Sequence, residues 1–144
     1  MRIDGEWRLC QDGEVRPVFS GVVEAHDAST VDVRFLADTG ADHTVFSADA
    51  WKRLGFQSID HSLRVEGVGG RAPTEIVPTE IRLTTSSGAV VKFKGQFAAV
   101  TDPSALDMSV LGRDILNVFA LIVDRPNSIL CLVGQGHRYE IVAT

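Results

Sequence analysis

Cysteine is scarce in this chain of 144 residues, and the only two cysteines are Cys10 and Cys131. Two isolated cysteines form neither a disulfide framework nor a cluster of metal ligands. We therefore expect both thiols to be reduced, as is usual in the cytosol. The histidines show no metal-ligand spacing either; they are His26, His43, His61 and His137. These absences predict a protein with no metal and no cofactor.

A net positive charge and long apolar runs are missing too. The net charge of −5 leaves no basic surface for nucleic acid and no polybasic membrane signal. No apolar run approaches the roughly 20 residues of a membrane-spanning helix. The N-terminus carries Asp4 and Glu6, where a signal peptide has basic and then apolar residues. We expect a soluble, cytoplasmic protein with no nucleic-acid and no membrane partner. The sequence also contains no P-loop and no nucleophile-elbow pattern.

The composition is that of a folded domain, with 44% apolar and 23% charged residues. The length suits one domain with its own core, so we predict a single domain over residues 1–144. Short apolar and β-branched runs between glycine-rich turns predict a mainly-β fold, a small closed β-barrel. The predicted strands are Val15–Glu24, Val31–Ala37, Thr44–Phe46, Leu63–Glu66, Glu75–Val77, Ile81–Thr85, Val90–Val100, Phe119–Val123 and Ile129–Val133.

Capping and stop signals predict one or two short helices. Ser47 is placed to cap a helix that runs through Leu54, with Asp49 in its first turn and Gly55 as its stop. The segment Val110–Leu116 reads as the end of a strand that passes into a second short helix.

The most informative motif is Asp38-Thr39-Gly40, which directly follows an apolar strand and occurs once. A tripeptide of this kind is often only a turn between strands. At the end of a hydrophobic strand, the turn can also present a carboxylate in a closed, hydrogen-bonded cleft. Because the chain has a single copy, chemistry that needs two such carboxylates requires two chains.

Two further motifs follow. Gly67-Val68-Gly69-Gly70 predicts the tip of a flexible hairpin, and Val110-Leu111-Gly112-Arg113-Asp114 leads into the second helix. Together with Leu36–Val45, these motifs resemble, in the same order, the catalytic loop, the flap tip and the second-half signature of the retropepsins. Retropepsins are the homodimeric aspartic proteases of retroviruses and their cellular and bacterial relatives.

The resemblance extends from about Val31 to about Val133. It is closer to the cellular and bacterial members, because the strand pair Phe119–Val133 is similar to the region that builds their dimer interface. It implies an acid-protease barrel with a flap hairpin, which forms one half of a homodimeric enzyme. The implied activity is that of an aspartic endopeptidase acting on a peptide or protein substrate.

The chemistry of such an enzyme suits a single aspartate per chain. One ionised carboxylate acts as general base for a water, and one protonated carboxylate acts as general acid toward the peptide carbonyl. Two carboxylates about 3 Å apart share a proton, because both cannot ionise together. The resemblance therefore implies that Asp38 of each subunit supplies one half of the pair.

The resemblance also implies roles for neighbouring residues. Thr39 would bond the partner's loop across the dimer axis, Gly40 would let substrate backbone approach, and Arg113 would pair with Asp42 as structural support. His43 stands where retroviral enzymes often carry aspartate. The implied substrate-binding residues are Ala41, Asp42, His43, Val45, Val68, Gly69, Met108 and Val110.

Simpler interpretations remain open for several of these residues. Gly40 can be an ordinary turn glycine, Asp42 and Arg113 can be solvated surface charges, and the apolar pocket residues can be plain core. Two other functions also fit the sequence. One is a non-proteolytic peptide-binding or regulatory module on the same fold. The other is a protease that acts only within a larger assembly or on one cognate substrate.

Overall fold

The structure, a computed structural model, describes residues 1–58, 64–67, 70–134, 136, 140 and 142–143, with the backbone alone for 64–67 and 70–72. The strands are β1 Arg2–Asp4, β2 Glu6–Leu9, β3 Val15–Glu24, β4 Thr30–Ala37, β5 Val45–Phe46, β6 Arg64–Gly67, β7 Gly70–Thr84, β8 Val90–Val100, β9 Ser109–Leu111, β10 Ala120–Asp124 and β11 Ile129–Val133. The helices are α1 Ala48–Leu54 and α2 Arg113–Leu116. The predicted mainly-β class is confirmed.

Six of the strands form a ring. Neighbours pair in the order β3, β4, β9, β5, β8 and β7, and a further pairing of β7 with β3 closes the ring. The closing contacts join Val22 to Arg82 and Val23 to Ile81. Strand β2 lies outside β3, and β6 forms a hairpin with the start of β7. This arrangement agrees with the predicted acid-protease fold.

Alternation along β3 and β4 determines which side chains fill the ring. Phe19 and Val23 of β3 and Val33 and Phe35 of β4 are buried, and they pack with residues of β7, α1 and α2. The site of Gly21 is crowded, because a Cβ there would lie 3.1 Å from the Phe35 ring. The intervening residues of β4 are exposed or half-buried; they include Asp32, Arg34 and Leu36.

Strands β4 and β9 pair in parallel, which is the feature of the fold that positions the site. Their register places Leu36 opposite Val110 and Ala37 opposite Leu111. The two strands therefore end side by side, and the residues that follow them are adjacent. In this way the Asp-Thr-Gly turn meets the start of α2, although the two motifs are far apart in the sequence.

Helix α1 begins and ends where the sequence predicted. The Ser47 side chain accepts a hydrogen bond from the Ala50 amide at 3.3 Å, and Gly55 ends the helix in the left-handed conformation with φ of 72°. Helix α2 begins directly after Gly112, within the segment Val110–Leu116 that was predicted to pass from a strand into a helix. No helix within the described ranges is long and apolar enough to cross a membrane.

The N-terminal strands were not predicted. β1 pairs with β11, which also pairs with β10, in a three-stranded sheet. The Gly134 amide donates to the Met1 carbonyl at 2.9 Å, and the Ser86 amide donates to the Arg2 carbonyl at 2.8 Å. Both strands are short and carry charged residues. β1 pairs with β11, near the end of the chain, and β2 pairs with β3 across a turn. Local sequence patterns therefore carry little sign of them.

The division of the central region into two short strands was wrong. Glu75–Val77 and Ile81–Thr85 were predicted as separate segments, whereas β7 is one strand of 15 residues, Gly70–Thr84. Its pairing with β8 continues without a break and includes Pro78 opposite Gln96. Pairing along the whole length of β8 overrides the interruption in the local hydrophobic pattern.

Candidate active site

Asp38 lies immediately after β4, in a tight turn fixed by three hydrogen bonds. Its amide donates to the Leu111 carbonyl at 3.1 Å, and its own carbonyl accepts from the Ala41 amide at 3.2 Å. Its Oδ1 accepts from the Gly40 amide at 2.9 Å. No donor among the described residues forms a hydrogen bond with Oδ2 of this half-buried carboxylate. One oxygen is thus oriented by the turn, while the other is available to water or to a second molecule.

Gly40 fits closely against this carboxylate. A Cβ at Gly40 would lie 3.1 Å from Asp38 Oδ1, which is tighter than ordinary van der Waals contact. The residue is exposed, so its backbone is open to an approaching ligand. Thr39 is also exposed on this turn.

Arg113 joins the turn to helix α2. Its Nη1 donates to the Thr39 carbonyl at 3.1 Å, and its Nη2 forms an ion pair with the Asp42 carboxylate. The Arg113 amide donates to the Ala41 carbonyl at 2.9 Å. The side chain and backbone of one residue therefore hold both ends of the loop that follows Asp38. The ion pair itself is exposed and is worth little alone.

A second, more buried network supports the same loop. Thr44 is fully buried; its hydroxyl donates to Asp114 Oδ1 at 2.7 Å and accepts from the Gly112 amide at 3.1 Å. The Thr44 amide also donates to Asp114 Oδ1 at 2.9 Å. No role for Thr44 or Asp114 was predicted from the sequence. The available signal was that each belongs to one of the two motifs that the fold brings together.

Gly112 allows this close packing. A Cβ at Gly112 would lie 2.4 Å from the His43 carbonyl carbon and 2.9 Å from the Thr44 amide nitrogen. Both contacts are with backbone, which cannot move as a flexible side chain does. The glycine is therefore required by the approach of β9 and α2 to the loop after Asp38.

The predicted substrate-binding residues fall into different environments. Met108 and Val110 line an open groove together with Asp38 and Leu36. Val45 pairs with Val110 and is only 4% exposed; it does not line the groove and is a core residue within this chain. Three predicted residues lie on the loop outside that groove: Ala41 is half-buried, and Asp42 and His43 are exposed. Val68 and Gly69 lie outside the described residues.

Replacing Thr44 with valine is expected to lower the free energy of unfolding by about 2 kcal/mol, since the buried Gly112 amide then lacks its acceptor. The matched control is Thr44→Ser, which keeps the hydroxyl and loses one methyl group, at a cost of about 1 kcal/mol. Urea unfolding monitored by circular dichroism measures both. If the valine variant proves more stable than the serine variant, the hydroxyl has no structural importance.

The chain matches the model of a known protein family. The model of a family described as aspartyl protease matches residues 23–115. This range contains β4, the Asp-Thr-Gly turn, β9 and most of α2. No curated protein matches the chain.

Solved structures with similar folds include a retropepsin-like aspartic protease from Rickettsia conorii. It has a TM-score of 0.57 and 22% sequence identity, over 92% of this chain and 98% of that one. EIAV protease in complex with the inhibitor HBY-793 has a TM-score of 0.47 and 26% identity, over 71% of this chain and 86% of that one. The retroviral protease-like domain of Ddi1 from Leishmania major has a TM-score of 0.44 and 20% identity, over 83% and 96%. The Rickettsia structure supports the likeness of fold.

Proposed function

Because the chain belongs to the aspartyl protease family, we propose that it is an aspartic endopeptidase whose active site forms between two copies of the chain. Each copy contributes the Asp38 carboxylate. One carboxylate accepts a proton from the attacking water, and the other donates a proton to the carbonyl oxygen of the scissile peptide bond. The substrate is a peptide or protein, and no cofactor takes part.

The observation that carries this proposal is the environment of Asp38. The turn directs one carboxylate oxygen onto the Gly40 amide and leaves the other without a donor in the described part of the chain. The sequence has one Asp-Thr-Gly, so a pair of such carboxylates requires a second chain. A two-fold axis beside Asp38 supplies the pair without any further residue.

The neighbouring residues take supporting roles in this proposal. Thr39 bonds the partner's loop across the two-fold axis, Gly40 gives substrate backbone access to the carboxylates, and Arg113 holds the loop in place. The substrate binds as an extended strand, recognised by backbone hydrogen bonds and apolar side-chain contacts. The proposed substrate contacts are Ala41, Asp42, His43, Val68, Gly69, Met108 and Val110. Among these, Met108 has the support of the groove geometry, whereas Val110 borders the groove but is only 6% exposed.

The test is digestion of a diverse peptide mixture, from about pH 4 to about pH 7, with products identified by mass spectrometry. Activity is measured across size-exclusion fractions, so that a contaminating protease is separated from the chain. We expect internal cleavage that follows the dimer peak. We also expect the activity per mole of chain to fall on dilution below the dimer dissociation constant, because a separated chain has half a site.

Two outcomes would contradict the proposal. Cleavage that follows the monomer peak would show that a second chain is not needed. A dimer that binds peptides and cuts none would instead favour the peptide-binding module as the function. A dimer that cuts a single protein partner and no generic peptide would restrict the proposal to one cognate substrate.

A further inference from the structure

The groove that contains Asp38 also contains an arginine that the proposed chemistry does not use. Arg34 lies on β4, and its exposed side chain lines this groove. Alternate residues of a strand face the same side, so Arg34 and Leu36 lead along one face toward Asp38. At about 3.3 Å per residue, the Cα atoms of Arg34 and Asp38 are roughly 13 Å apart.

The other arginines of the groove already have carboxylate partners. Arg16 forms a two-point contact with Asp12, at 2.8 and 2.5 Å, and this contact lowers the pKa of Asp12 to about 2. The remaining pairs are Arg53 with Asp49, Arg82 with Glu24 and Glu80, and Arg8 with Glu6. These guanidinium groups are engaged within the chain.

Arg34 differs from them. Its guanidinium makes no ion pair and no hydrogen bond with any described residue. Its cross-strand neighbour on β3 is Ser20, which is neutral. Asp32 and Asp107 line the groove as well, but neither forms an ion pair with Arg34. Arg34 therefore presents a positive charge to the groove that forms no ion pair with a carboxylate in the described part of the chain.

Asp32 is the nearest carboxylate to Arg34 along β4, and Arg53 contacts the backbone of Asp32 and not its carboxylate. Arg53 Nη1 donates to the Asp32 carbonyl at 2.7 Å, which brings a guanidinium close to that residue. An anion that enters the groove meets Arg34 as an arginine that has no ion-pair partner among the described residues.

We propose that Arg34 is a specificity-determining residue that binds an acidic side chain of the substrate, a few residues from the scissile bond. The inference rests on the proposed function. A guanidinium offers a planar fork of donors that matches a carboxylate. An extended substrate advances about 3.4 Å per residue, so roughly 13 Å corresponds to three or four residues.

The test begins from a peptide that the wild-type protein cleaves. Matched peptides carry Glu, Gln or Lys at each position within about five residues of the scissile bond. Because the proposed dimer carries two copies of Arg34, we expect kcat/KM to be about fivefold higher for Glu than for Gln at a position on at least one side of the scissile bond, as for a favourable exposed ion pair. Arg34→Gln should abolish this preference, and Arg34→Glu should replace it with a preference for Lys. The control Arg53→Gln should keep the preference for Glu, because Arg53 is paired with Asp49.

Binding separates this inference from the proposed function. The dissociation constants of the Glu and Gln peptides are measured by fluorescence anisotropy for Asp38→Asn and for Asp38→Asn with Arg34→Gln. A preference for Glu that depends on Arg34 supports the inference even if no peptide is cleaved. Equal affinities for the two peptides, or a preference that survives Arg34→Gln, would overturn it while leaving the proposed protease activity intact.

Discussion

Replacing Asp38 with asparagine is expected to lower kcat for peptide cleavage by about 10²- to 10⁴-fold, the usual contribution of a positioned acid or base. An amide neither accepts a proton from water nor donates one to a peptide carbonyl as a carboxyl group does. The fold should be unaffected, because the asparagine Oδ1 can still accept the hydrogen bond from the Gly40 amide. The measurements are steady-state kinetics and the melting temperature.

The matched control for this substitution is Asp27→Asn. Asp27 Oδ1 accepts from the Ser29 amide at 3.0 Å, the same local contact that Asp38 makes with Gly40. It lies in the turn before β4, whereas Asp38 follows the end of that strand. We expect Asp27→Asn to retain wild-type kcat. If Asp38→Asn cleaves as fast as this control, the catalytic role of Asp38 is wrong.

Replacing Gly112 with alanine is expected to lower the free energy of unfolding by about 3 kcal/mol, at the upper end of the usual cost of overpacking. The added Cβ would lie 2.4 Å from the His43 carbonyl carbon and 2.5 Å from its oxygen. The loop after Asp38 or the start of α2 must therefore move, which also disturbs the hydrogen bonds between Thr44 and Asp114. We expect cleavage activity to fall with stability, because the same loop carries Asp38.

Gly95→Ala is the control for this prediction. Gly95 lies in β8, is exposed, and has no atom within 4 Å of the position of an added Cβ. Its substitution should change the free energy of unfolding by less than about 0.5 kcal/mol. Chemical denaturation of both variants gives the comparison. Equal midpoints for Gly112→Ala and Gly95→Ala would show that the loop and α2 are not packed as described.

Much of the fold could be predicted from local signals. Val15–Glu24 alternates loosely between apolar and polar residues, and the structure has β3 with the same bounds. The helix cap Ser47 and the stop Gly55 form hydrogen bonds with residues three or four positions away. The local sequence is therefore enough to predict both ends of this helix. β1 gains its partners only from distant parts of the chain, and β7 is continuous because β8 pairs along its whole length. Local patterns carry little information about such pairing.

The same distinction applies to the site. The Asp-Thr-Gly motif and the resemblance drew attention to Asp38, Asp42 and Arg113, and the fold brings these residues together. The contact of Thr44 with Asp114 depends on the parallel pairing of β4 with β9, which sequence patterns did not predict. Val45 has the apolar character expected of a pocket residue, but its place between β8 and β9 buries it in the core.

The central claim is that one active site uses Asp38 from two chains. The most direct test is the activity of a purified heterodimer with one wild-type subunit and one Asp38→Asn subunit, isolated through two different affinity tags. Its activity is measured before the subunits can exchange. A wild-type dimer that carries the same two tags is the reference. The account predicts that the heterodimer is at least about 10²-fold less active than the wild-type dimer. A heterodimer with half the wild-type activity would contradict the account, because each chain would then hold a complete site.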